Sequence, residues 1–167
     1  MRSERPDYFP LEAGSVFEFE VERDGGVGRQ ILEVVSVEAA GGTVQALFRR
    51  TDGPAEDRQT VEYGVTRDPS WVRVEGELEL PCSPAPGMSW NAAPLSMKVS
   101  EVGAEVRVPA GTFQGCVRVS YLVAGGDAGS GERFYAPGVG LVCEECSEEA
   151  SPFTSRLVRY SLPGGRP

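Results

Sequence analysis

Apolar and polar positions alternate in short runs along most of this chain. From residue 16 to residue 22 the order is Val, Phe, Glu, Phe, Glu, Val, Glu, which puts Phe17, Phe19 and Val21 on one side and Glu18, Glu20 and Glu22 on the other. A period of two with one apolar face is that of a half-buried β-strand. Asp24-Gly25-Gly26 tolerates positive φ at a hairpin turn, and residues 30–37 form the returning strand. Ala40-Gly41-Gly42 marks a second turn into residues 43–49, and residues 59–66 begin another hairpin around Asp68-Pro69-Ser70. Residues 71–80 read as one strand, with Val72, Val74, Leu78 and Leu80 beside Gly76 on one face and Arg73, Glu75, Glu77 and Glu79 on the other. Gly76 marks a bulge or bend there.

Residues 81–90 carry Pro81, Pro84, Pro86 and Gly87, cannot continue a central strand, and predict an irregular connection covering a barrel end. Further short strands follow at 96–101, 105–108, 116–123, 132–135, 141–145 and 154–162, each bounded by Gly, Pro or Ser. Gly and Pro fall between the alternating segments as turn punctuation, and residues 124–131 have the composition of an exposed flexible loop. The expected fold is all-β: a single-domain antiparallel open barrel or half-barrel, with helix a minor component. Residues 1–7 form an N-terminal extension, 8–162 the β-rich domain and 163–167 a tail. A sandwich is the alternative arrangement of about ten such strands.

Composition narrows the chemistry. The 167 residues carry a formal net charge of −9, which opposes nucleic acid and anionic membrane as partners. Histidine is absent, which removes the usual general base, the partner of a Ser or Cys nucleophile and a common metal ligand. The sequence has no Gly-x-Ser-x-Gly, phosphate-binding loop or dinucleotide fingerprint. The first residues lack the apolar run of a secretory signal, and no later stretch is long and apolar enough for a membrane span, so the sequence as written predicts a cytoplasmic protein. Removal of a leader would place it in the cell envelope instead.

Tyr8-Phe-Pro-Leu11, Gly14 and Phe17, together with Val108-Pro-Ala-Gly-Thr-Phe113 and Phe134-Tyr-Ala-Pro-Gly-Val-Gly-Leu-Val142, resemble a family of uncharacterised bacterial β-rich proteins of the DUF3108-like and TapB-like kind. The resemblance spans almost the whole chain and implies a curved antiparallel sheet with a concave face, in proteins often exported or lipid-anchored. It implies no activity, because its motifs are turns and core positions. Pro109, Gly111, Pro137, Gly138 and Gly140 are accordingly assigned to folding, as fixed or positive-φ turn residues.

Four cysteines, Cys82, Cys116, Cys143 and Cys146, form the one constellation with possible metal or redox chemistry. Four thiolates suit tetrahedral zinc, but there is a single Cys-x-x-Cys, and residues i and i+3 of an extended strand point to opposite faces. The broader reading is inert or buried thiols, and no cofactor is expected. Glu144, Glu145, Glu148 and Glu149 read as a solvated acidic run rather than a calcium site. The aromatic residues Phe17, Phe19, Phe48, Trp71, Trp90, Phe113, Phe134 and Tyr135 either line a ligand cavity or, more generally, fill the core. Among them Trp90, Trp71 and Tyr135 are the candidate ligand or partner contacts, with Trp90 as a lid in its Pro-rich loop.

The function these features support is non-enzymatic: a binding or assembly module presenting a curved sheet to a protein partner or a small apolar ligand. The rivals are a thiol protein that binds zinc or cycles a disulfide through Cys143 and Cys146, and, more remotely, a hydrolase using carboxylates alone.

Overall fold

The computed structural model describes residues 5–124 and 129–164. Twelve β-strands form one sheet: β1 Val16–Arg23, β2 Gly26–Ala40, β3 Thr43–Asp52, β4 Gln59–Arg67, β5 Trp71–Val74, β6 Glu77–Pro81, β7 Ser89–Ala92, β8 Leu95–Val108, β9 Gly111–Val123, β10 Ser130–Ala136, β11 Gly140–Cys146 and β12 Phe153–Ser161. Among the described residues there is no helix, so the minor helical component expected from sequence is absent there. Every neighbouring pair is antiparallel, and the spatial order runs β6-β5-β4-β3-β2-β1-β12-β11-β10-β9-β8-β7. The chain therefore meanders up and down and closes through β1 against β12, leaving one unsealed seam between β6 and β7. It is an all-β barrel, nearly closed.

The seam exists because the last strand of one half and the first of the other are joined by residues 82–88, where prolines and Gly87 interrupt pairing. Side chains hold it instead. The Trp90 indole N–H donates to the Leu78 carbonyl at 3.2 Å, and the Trp71 and Trp90 rings meet edge to face at 5.4 Å between centroids. Residues on the strands near the seam, including Val65, Val72, Leu80, Met97, Val99 and Val119, are almost fully buried and belong to the core cluster. Burial of apolar side chains supplies the main favourable term here, roughly 1.5–3 kcal/mol for each large one.

Three segments differ from the sequence expectation. Residues 71–80 are a hairpin, with Glu75 (φ 54°) and Gly76 (φ 82°) both in the left-handed region that a tight two-residue turn requires. Its second strand carries a bulge. Val72 faces Leu80 and Arg73 faces Leu78, so Glu79 has no partner on β5 and turns inward, although simple alternation puts it outside. Residues 89 and 90, the end of the expected covering loop, belong to strand β7, and the segments read as 96–101 and 105–108 are one long strand, β8, with three register shifts against β9.

The lower end of the barrel, where β1 begins, is covered by the N-terminal residues. Asp7 receives a hydrogen bond at its carbonyl from Gly138 N–H (2.7 Å) and an ion pair at its carboxylate from Arg67 (2.9 Å), while Arg67 also donates to the Phe9 carbonyl. Residues 5–7 are thus tied to the barrel, Arg5 reaching Ser83 at 2.9 Å. The β8–β9 hairpin curls under the same end, Ala110 N–H donating to Leu157 O. The loop expected at 124–131 is shorter than composition suggests: residues 125–128 lie outside the described residues, and β10 starts at Ser130. Of the C-terminal tail, residues 165–167 also lie outside them.

Candidate functional site

Antiparallel register places the inward positions of neighbouring strands in rows. One row runs Phe17, Leu32, Arg50 and Val61 across β1 to β4, and another joins Arg23 to Phe153. These rows line part of a lumen of about 600 Å³ that also reaches Val74, Glu75 and Glu79 at β5 and β6. Its walls are aromatic, built from Phe17, Phe19, Phe48, Tyr63 and Phe153, and its floor is Phe9, Pro10 and Val139. The Phe9 ring lies 6.1 Å from Phe48 and 6.3 Å from Tyr135, so the N-terminal segment is a plug packed on the barrel interior. Toward the upper end the lining includes Arg23, Glu62 and Glu75, all exposed, and the lumen opens to solvent there.

A polar cluster crosses the lumen between its open part and the packed core. Arg133 on β10 donates from Nε to Glu144 on β11 (3.0 Å) and from Nη1 to Glu79 on β6 (3.2 Å). Tyr135 donates to the same Glu79 oxygen at 2.6 Å, and Tyr121 donates to the same Glu144 oxygen at 3.0 Å. The Arg133 guanidinium also stacks 5.2 Å from the centre of the Tyr121 ring. Burial opposes the charge on Arg133, but Tyr135, Glu79 and Glu144 more than offset it, so its proton affinity is raised. Burial pushes the phenols of Tyr121 and Tyr135 up, with the neighbouring carboxylates adding to the shift, so both are hydrogen-bond donors near neutrality. The cluster holds two carboxylates against one guanidinium.

Tyr121 reaches Glu144 because Gly131 lies beneath it. A Cβ at Gly131 would collide with the Tyr121 ring, so the glycine is a close-approach position rather than a flexible one.

The sequence-derived candidates separate in space. Tyr135 is completely buried behind Phe9 and belongs to the cluster. Trp71 and Trp90 do not line the lumen; they clamp the seam, so Trp90 sits in a strand and not in a covering lid. Phe113 packs on Tyr160 at the lower end. Pro109 and Gly111 flank the β8–β9 turn, and Pro137, Gly138 (φ 76°) and Gly140 (φ 105°) shape the β10–β11 turn against the N-terminal plug. Cys82, Cys116, Cys143 and Cys146 are all free. Among the described residues no three Cys, Asp or Glu side chains converge as a metal site. Burial lifts the Cys116 and Cys143 thiols to about 11, which leaves them protonated and weakly nucleophilic. Glu79, Arg133, Phe9, Tyr63 and Phe153 escaped the sequence reading. The unpaired bulge position hid Glu79, whereas Arg133 was legible in principle as a charge two residues from Tyr135, on the same face of a short strand.

A second hollow, of about 780 Å³, lies over Ser89, Lys98, Ser120, Glu132, Glu145 and Thr154, one row across β7 to β12. It has a single curved sheet for a wall, whereas strands from both halves surround the lumen.

A candidate lipoprotein from Parabacteroides distasonis aligns over 95% of this chain and 100% of its own, with a TM-score of 0.60 and 15% identity. A candidate exported protein with a YmcC-like fold from Bacteroides fragilis aligns over 94% and 100%, with a TM-score of 0.64 and 14% identity. The likeness is one of fold. The MucA/MucB complex of Pseudomonas aeruginosa aligns over 92% of this chain and 53% of that one at a TM-score of 0.42 and 13% identity, too low to carry an argument. No protein-family model and no curated protein matches the sequence, so membership of a DUF3108-like family is not shown. Among the described residues no helix is long and apolar enough to cross a membrane.

Proposed function

We propose that this chain is a non-enzymatic binding protein whose barrel lumen holds a small, largely apolar ligand. The observation that carries the reading is the lumen itself: about 600 Å³, walled in part by Phe17, Phe19, Phe48 and Phe153, plugged below and open above. Ligand sites of proteins typically span about 300–1,000 Å³ and combine apolar walls with a few fixed polar groups. A packed core leaves no such space. The Arg133 cluster supplies the fixed polar groups, and its buried tyrosines hold their protons too tightly to act as bases near neutrality.

An envelope setting is favoured over a cytoplasmic one, because the two proteins of like fold are a candidate lipoprotein and a candidate exported protein. The thiol reading has weaker support, since Cys116 and Cys143 are buried and shifted away from reactivity. Native mass spectrometry of the protein equilibrated with N-phenylnaphthylamine, a neutral apolar probe, tests the proposal. A one-to-one adduct is expected; its absence at probe concentrations that saturate other apolar cavities overturns it.

A further inference from the structure

We infer that the lumen selects ligands whose polar end is a hydrogen-bond donor without negative charge, an amine or ammonium in preference to a carboxylate or phosphate. This rests on the lumen being a ligand site. Glu79 and Glu144 both line it, as does Arg133 between them. All four hydrogen bonds that tie the cluster together use the Oε1 atoms: Glu79 Oε1 accepts from Tyr135 and Arg133, and Glu144 Oε1 accepts from Tyr121 and Arg133. Among the described residues neither Oε2 atom has a protein partner, and no side-chain oxygen is both fully enclosed and unbonded. Those two oxygens therefore border accessible space, where they accept hydrogen bonds from whatever enters.

Charge gives the sign of the preference. Two carboxylates against one guanidinium leave the cluster at net −1, in a site where apolar walls weaken screening. A second anion there meets repulsion together with the loss of its own hydration, while a cation offsets the excess charge. The aromatic walls act the same way, since the faces of Phe17, Phe19 and Phe48 are negative and attract ammonium groups. At the mouth, Arg50 is occupied by Asp52 at 2.9 Å and Arg23 lies over Phe153 at 5.0 Å, so neither stands free to receive an anion. The formal charge of −9 adds a long-range field of the same sign.

Three probes with the same chain and different ends provide the test: dodecylamine, dodecanol and dodecanoate, each competed against bound N-phenylnaphthylamine at neutral pH and moderate salt. The expected order is amine, then alcohol, then carboxylate, with the amine at least about ten-fold tighter than the carboxylate. In Glu144→Gln, and separately in Glu79→Gln, the amine preference shrinks several-fold while alcohol binding changes little. Equal affinities, or a carboxylate that binds more tightly, in the wild-type protein overturn the inference and leave the lumen as a ligand site. Failure of every probe to compete, with no binding of the reporter, overturns both.

Discussion

The hydroxyl of Tyr135 on β10 donates to Glu79 on β6 at 2.6 Å, although the two residues are 56 positions apart and their strands lie on opposite sides of the seam. With Arg133 and Glu144 they tie β6 to β10 and β11 through the interior, across the seam that the sheet leaves unpaired. Replacing Glu79 by Ala strands a buried phenol and half of a guanidinium without partners. A loss of about 2–3 kcal/mol is expected in urea unfolding, reduced from the cost of a fully buried pair because Glu79 retains 20% exposure. Glu62→Ala, which breaks an exposed pair with Arg49, should cost under about 1 kcal/mol. Equal losses for the two would show that the internal cluster contributes nothing special.

The Trp90 indole is another connection across the seam. Trp90→Phe keeps an apolar ring and loses the bond to Leu78 O, so about 1 kcal/mol is expected; Trp90→Ala should cost about 3–5 kcal/mol. Amide exchange should accelerate first in β6 and β7. Unchanged protection of those two strands in Trp90→Ala would contradict the role.

At Gly131 a methyl group meets the Tyr121 ring, whereas at Gly25 nothing lies within 4 Å. Gly131→Ala is therefore expected to lower stability by about 1–3 kcal/mol through overpacking and to displace Tyr121 from Glu144, while Gly25→Ala stays near neutral. Melting curves of the two variants separate the outcomes.

Alternation made much of the barrel legible: residues 16–22 showed their inward face directly, and the Gly-rich turns before and after residues 30–37 fell where the hairpins turn. What escaped depends on pairing. The inward turn of Glu79 is a consequence of the bulge opposite β5; Gly76 marked a bulge or bend nearby, but it is the hairpin turn, and nothing local showed which position would be left unpaired. Closure of β1 on β12 joins residues 130 or more positions apart and has no local signature either. Trp90 looked like a loop residue because prolines precede it, yet four residues after Gly87 suffice for a short seam strand.

Burial holds Cys116 and Cys143 at about 11 and Tyr63 at about 12, and raises Tyr121 and Tyr135 as well. Each folded-state value lies above the unfolded one, so the native state binds more protons in the interval between them. Stability is then complete below about pH 9 and falls as pH rises through 10 to 12, as these acids ionise more readily in the unfolded chain. Melting temperatures across that range should decline, and thiol labelling of Cys116 and Cys143 at about pH 8 should be slow until urea is added. Rapid labelling of the native protein would contradict the burial.

Whether the lumen is where ligand binds is tested most directly by filling it. Val21 lines its upper wall and is only partly buried, so Val21→Trp places an indole in the opening. Titration with N-phenylnaphthylamine should give saturable, blue-shifted fluorescence with one site in the wild-type protein and at least about ten-fold weaker binding in Val21→Trp, with circular dichroism and melting preserved. Binding of the same strength in a folded Val21→Trp variant would place the site elsewhere and contradict the lumen as the seat of function.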